Sequence, residues 1–223
     1  MKYKAIIFDL DGTLVDTLGD ITDSVNHALE KYSLPSHPLE SIRQKIGNGS
    51  RMLISRSLPT DRQDLIDEIL SLQSGYYGEH LFDHSRPYHG IDRMLTVLGE
   101  NNYKMAVLSN KSDVYTRQLV EKLFPPGTFD LVLGHQQKFP LKPDPQSALF
   151  IAEQLEIQPS QIAFVGDTAM DIQTARHAGM FAIGVTWGFR DRGELVRNHS
   201  NAIIEQPAQL PTLLKLLKNP PDF

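Results

Sequence analysis

Short apolar runs at residues 5–8, 105–108, 129–133, 162–165 and 181–185 alternate with segments of helical length, and this alternation most restricts what the chain can fold into. A run with no polar face suits a strand buried on both sides, as in a parallel sheet flanked by helices. Helices are predicted over 91–99, 113–124, 145–155 and 169–178, with a last strand at 202–204 and a surface helix near 211–217. The expected fold class is α/β, a doubly wound parallel sheet with a Rossmann-like core, whose reactive groups gather at the carboxyl edge.

Residues 17–84 break the rhythm with several helical segments and no convincing strand. Leu18, Ile21, Val25, Ala28, Leu29 and Tyr32 fall at helical spacings and predict one apolar face. The expected organisation is therefore a core of 1–16 and 85–223 with an inserted helical domain over 17–84, placed either to close over the carboxyl edge as a lid or to serve as a peripheral bundle.

Composition narrows the partners. The 223 residues are 40% apolar, enough to bury a core, and carry a net charge of −5 with no Lys/Arg-rich run, which argues against a nucleic acid or a membrane surface as the main partner. The absence of cysteine removes disulfides, thiolate catalysis and sulfur-ligated metals, and fits a reducing compartment. Asp9 and Asp11 interrupt the apolar start before a signal sequence or membrane span could form, so a cytoplasmic location is expected.

The first strand runs into Asp9-Leu10-Asp11-Gly12-Thr13. Alternation puts Asp9 and Asp11 on one side, and Gly12 permits a sharp turn. Two neighbouring carboxylates need a metal ion, a shared proton or a strong donor unless they are simply solvated loop acids. A second pair follows a later strand in Gly166-Asp167-Thr168-Ala169-Met170-Asp171, where either acid could also cap a helix. If all four converge, their charge of −4 falls to −1 with one Mg²⁺ and Lys142, from Lys142-Pro143-Asp144-Pro145. Leu108-Ser109-Asn110-Lys111 ends another strand; the Ser109 hydroxyl and nearby N–H groups suit phosphate oxygens, and Asn110 suits either the leaving group or the loop itself.

In this order the four stations resemble the haloacid dehalogenase superfamily of phosphohydrolases, and the insertion after the first is similar to that family's small α-helical cap. Leu14-Val15-Asp16-Thr17, Ile46-Gly47-Asn48-Gly49-Ser50 and Gly184-Val185-Thr186-Trp187-Gly188 resemble phosphoglycolate phosphatases within it. The resemblance implies Asp9 as nucleophile, Asp11 as proton donor and acceptor, and Lys142 and Ser109 as stabilisers of the transferring group. Gly12 and Asn110 are implied beside the substrate. It further implies Mg²⁺ held by Asp9, the Asp11 backbone carbonyl and Asp167, with Asp171 in support, and a small phosphorylated metabolite as substrate.

Lys45, Asn48 and Arg51 surround the candidate cap loop and suit a carboxylate or second phosphate, although exposed residues of these types are commonly just solvated. A phosphomutase resembling β-phosphoglucomutase, or a pyrophosphatase, could use the same apparatus. A receiver-type switch is disfavoured by the long insertion and by Asp11. A non-catalytic phosphate-binding regulator stays open, as does the choice between monomer and homodimer. His89, His135 and His177 show no zinc spacing, and Trp187 suits either the site's rim or ordinary burial.

Overall fold

The computed structural model describes residues 3–217. They fall into two compact units, one formed by the stretches up to Val15 and from Pro87 onward, the other by Asp16–Arg86. The chain crosses between them at β2 (Val15–Asp16) and β3 (Arg86–Pro87), which pair as a two-stranded sheet.

The first unit is built on a six-stranded sheet of β1 (Ala5–Phe8), β4 (Lys104–Ser112), β5 (Leu131–His135), β6 (Ile162–Gly166), β7 (Phe181–Val185) and β8 (Ala202–Ile204), in the order β5-β4-β1-β6-β7-β8. Its ladders are parallel. The connecting helices are α5 (Ile91–Glu100), α6 (Asp113–Leu123), α7 (Gln146–Gln154), α8 (Ala169–His177) and α9 (Arg192–Arg197), with α10 (Gln209–Leu216) after the last strand.

One face of the sheet, through Ile7, Ala106, Leu108, Leu133 and Phe164, packs against Ala148, Ile151 and Ala152 of α7 and Ile172 and Ala175 of α8. The right-handed crossover rule sends α5 and α6 to the other face. On that side the rings of Phe8 and Phe124 both meet Phe129 edge-on. Ile6, Ile7 and Phe8 have no exposed surface. At about 1.5–3 kcal/mol for each such side chain, β1 is firmly anchored. The chain proceeds from β1 to β4 and β5 on one side, then returns to β6 on the other, so β1 and β6 flank the point where the strand order reverses. Open α/β sheets place their sites beyond the strand ends there.

The expected strand over 129–133 is instead Leu131–His135. Phe129 is drawn into the aromatic contacts, and Asp130 donates its amide to the Met105 carbonyl at 2.7 Å while its carboxylate accepts from the Met105 amide at 2.9 Å. Regular pairing therefore starts one residue later. The strand expected at 105–108 runs on to Ser112, with a register irregularity between Leu108 and Ser112.

The second unit contains α1 (Leu18–Glu30), α2 (Leu39–Lys45), α3 (Gly49–Ser57) and α4 (Ile66–Glu79), with a 3₁₀ turn at Thr60–Leu65. Leu18, Ile21, Val25, Ala28 and Leu29 are buried as the spacing predicts, whereas Tyr32 lies beyond the helix end and is half-buried. Between α1 and α4, the Gln73 amide donates to the Ser24 hydroxyl at 2.9 Å. Asp20 is also buried, and its carboxylate accepts from the His84 and Ser85 amides at 2.7 and 2.9 Å, which ties the returning chain to the start of α1.

Candidate active site

The Asp9 amide donates to Val165 at 2.9 Å, continuing the ladder between β1 and β6 and fixing Asp9 at the reversal point. Asp167 follows β6, and Asp171 lies in the first turn of α8. Carboxylate oxygens of Asp9, Asp167 and Asp171 lie within 4.8 Å of one another, and all three residues are buried. Their convergence follows from topology, because two adjacent parallel strands end at the same edge.

Lys142 enters this cluster from the connection after β5. Its ammonium lies 2.8 Å from Asp9 Oδ1 and 2.7 Å from Asp171 Oδ1, and donates to the Leu108 carbonyl at 3.2 Å. Three acceptors match its three protons. The Lys142 backbone is anchored by Asn110, whose side-chain amide donates to the Lys142 carbonyl at 3.1 Å while its oxygen accepts from the Lys142 amide at 2.8 Å. The Lys142–Pro143 peptide is cis.

Asp171 also accepts from the Thr168 amide at 3.0 Å and the Thr168 hydroxyl at 2.7 Å through Oδ2, forming a capping box for α8. Both of its oxygens are thus engaged within the protein. Asp167 accepts from the Thr13 hydroxyl at 3.2 Å and the Phe189 amide at 2.7 Å. Trp187, in the same loop as Phe189, donates its indole N–H to the Thr13 carbonyl at 2.9 Å. Close packing requires glycine here. Gly12 has φ +84°, and a Cβ there would lie 2.3 Å from Asp167 Oδ2; one on Gly188 would lie 2.2 Å from the Gly12 carbonyl oxygen.

Asp11 stands apart from the three clustered acids. Its Oδ1 lies 2.9 Å from the ammonium of Lys111, with both side chains largely shielded. The Ser109 hydroxyl oxygen accepts from the Lys111 amide at 3.1 Å. Four carboxylates therefore face two ammonium groups, a deficit of two positive charges.

The electrostatics reflect that deficit. Burial, reinforced by Asp171, raises the Asp9 pKa well above the carboxylate range despite Lys142. Burial and then Asp171 push Asp167 up to about 7, against the opposing bonds from Phe189 and Thr13. Burial opposes charge on Lys142, but Asp171 and Asp9 override it and raise its pKa. A buried, oxygen-only donor set short of two positive charges fits a hard divalent cation such as Mg²⁺.

The remaining sequence candidates have local partners. Lys45 ends α2 and donates to the Ser41 hydroxyl at 2.7 Å; Asn48 accepts from Arg56 at 2.8 Å; exposed Arg51 pairs with Asp67. These are contacts within the helical unit. His177 meets the Pro143 carbonyl at 3.0 Å through Nδ1, and His135 ends β5. His89 precedes α5. Sequence reasoning did not single out Lys111, Thr168 or the Phe189 amide. Thr168 had a capping-box signal three residues before Asp171, Lys111 had only its place after Ser109-Asn110, and a backbone amide carries no side-chain signal.

Comparison with known proteins agrees with this geometry. Residues 6–185 match the family described as haloacid dehalogenase-like hydrolase. The chain belongs to that family. It is 32% identical to a phosphoglycolate phosphatase of Haemophilus influenzae, covering 96% of this chain and 99% of that one. It is 35% identical to one of Mannheimia succiniciproducens, covering 94% and 97%. A crystal structure of a predicted phosphoglycolate phosphatase from Haemophilus somnus superposes with a TM-score of 0.88 at 29% identity, covering 96% of this chain and 99% of that one. This hydrolase thus shares its fold over nearly its whole length. Among its described residues no helix is long and apolar enough to cross a membrane.

Proposed function

We propose that the protein is a Mg²⁺-dependent phosphomonoester hydrolase working through an aspartyl phosphate on Asp9, with phosphoglycolate as its substrate. The observation that carries this reading is the placement of buried Asp9 at the strand reversal, 2.8 Å from Lys142 and clustered with Asp167 and Asp171. The relatives' names support the choice of ester. The setting is the cytoplasm, and the partner is a small phosphorylated metabolite.

In the first step an Asp9 carboxylate oxygen forms a bond to phosphorus as the bond from phosphorus to the ester oxygen breaks. Asp11 gives its proton to the departing alkoxide. In the second step water attacks the aspartyl phosphate, Asp11 takes the water's proton, and phosphate leaves with Asp9 restored. General acid–base help of this kind contributes roughly 10²- to 10⁴-fold, about 3–5 kcal/mol of barrier.

Asp9, Asp167 and the Asp11 backbone carbonyl would hold Mg²⁺, which supplies positive charge against the phosphate and orients it. Asp171, already engaged by Lys142 and Thr168, supports the site by fixing Lys142. Lys142 orients Asp9 and offsets negative charge on the transferring group, while Ser109, Asn110 and Gly12 line the phosphate side. In the helical unit we assign Lys45, Asn48 and Arg51 to recognition of the substrate carboxylate.

Phosphate release from phosphoglycolate tests this reading. Wild type should turn over with Mg²⁺ and stop in EDTA, and Asp9→Asn should be inactive while still folded. Turnover by Asp9→Asn, or isomerisation of β-glucose 1-phosphate without net phosphate release, would overturn it.

A further inference from the structure

We infer that Lys111 is a positioning residue for Asp11, fixing the direction of the carboxylate that protonates the leaving group. This inference rests on the acid–base role of Asp11 proposed above.

The Lys111 ammonium lies 2.9 Å from Asp11 Oδ1, and the side chains are only 8% and 13% exposed. An exposed pair of this kind would contribute little, but shielding from water strengthens both the attraction and the restraint on geometry. Lys111 reaches Asp11 because β4 runs on through an irregular register beyond Leu108. Its own backbone is tethered by the 3.1 Å bond from its amide to the Ser109 hydroxyl oxygen. Asp11 sits on the turn after β1, in an isolated bridge to Val15. A cation carried by the neighbouring strand β4 therefore ties the turn after β1 to the sheet edge.

Lys111 and Lys142 thus divide the work. Lys142 lies against Asp9 and Asp171, whereas Lys111 lies against Asp11. Loss of Lys111 removes a restraint on the proton donor while leaving the Lys142 contacts with Asp9 in place. The consequence depends on the ester. An alkoxide leaves poorly without a proton, whereas p-nitrophenolate leaves readily as an anion. A misplacement of about 1 Å costs on the order of 10²-fold.

The test compares wild type, Lys111→Met, Lys111→Arg and Asp11→Asn by kcat/KM and KM on phosphoglycolate, propyl phosphate and p-nitrophenyl phosphate, with Mg²⁺ saturating and folding checked by thermal melting. Lys111→Met should lose about 10²-fold on both alkyl esters but less than about 10-fold on the aryl ester, with KM little changed. Lys111→Arg should recover much of the loss. A fall on phosphoglycolate alone through KM would overturn the inference by making Lys111 a reader of the substrate carboxylate. An equal fall on all three esters would overturn it in favour of a merely structural role. If Asp11→Asn shifts the alkyl-to-aryl ratio but Lys111→Met does not, the positioning role alone fails; if neither shifts it, the acid–base reading of Asp11 fails as well.

Discussion

Lys142→Met keeps most of the stem's bulk and deletes the ammonium, leaving the fully buried Asp171 and the nearly buried Asp9 without the cation that lies 2.7 and 2.8 Å from them. Breaking a buried ion pair from one side costs about 3–5 kcal/mol, because the remaining charge cannot return to water. At about 2–4 °C per kcal/mol for a chain of this size, melting should fall by roughly 6–20 °C. Protonation relieves the stranded carboxylates, so the deficit should be larger at pH 8 than at pH 5. Urea unfolding in EDTA of wild type, Lys142→Met, Asp171→Asn and the double variant measures the coupling directly. The double variant should be less destabilised than the sum of the singles by about 1–3 kcal/mol. Additive singles, or a Lys142→Met protein within about 1 kcal/mol of wild type at pH 8, would refute the ion pair as a determinant of stability.

Raising pH from about 4 to about 7 should lower the stability of the metal-free protein, since folded Asp167, pushed up to about 7, keeps a proton that its unfolded form has shed. Denaturation in EDTA should show this slope, and Asp167→Asn should flatten it. Mg²⁺ competes with that proton, so calorimetry should find affinity roughly 10-fold weaker one pH unit below the plateau. Gly188→Ala places a methyl 2.2 Å from the Gly12 carbonyl oxygen and 2.5 Å from Asp167. It should cost about 1–3 kcal/mol in urea unfolding and more than 10-fold in turnover. Arg51→Ala removes an exposed contact to Asp67 and should leave the melting temperature unchanged while raising KM for phosphoglycolate but not for propyl phosphate.

The parallel-sheet reading survives because strands 5–8, 162–166 and 181–185 are apolar throughout and need cover on both faces. Boundaries were less legible where tertiary contacts override local pattern, as at Phe129, whose ring favours Phe8 and Phe124 over the ladder. The spacing of Asp9, Lys142, Asp167 and Asp171 foreshadowed their convergence, since topology brings strand ends together. It did not reveal how each carboxylate is shared. Asp171 is engaged by Thr168 and Lys142, and Asp11 lies against Lys111, assignments that depend on side-chain directions fixed only after the loops close.

Because β2 and β3 pair where the chain leaves and re-enters the sheet-bearing unit, the two ends of the intervening helical segment start as neighbours, roughly 5 Å apart as paired strands are. A segment joined this way behaves as a cassette. Another fold with closely spaced termini could be spliced into the same socket without re-threading the sheet, and, on the proposed assignment of Lys45, Asn48 and Arg51, selectivity for the ester would then be open to engineering apart from the chemistry performed on it.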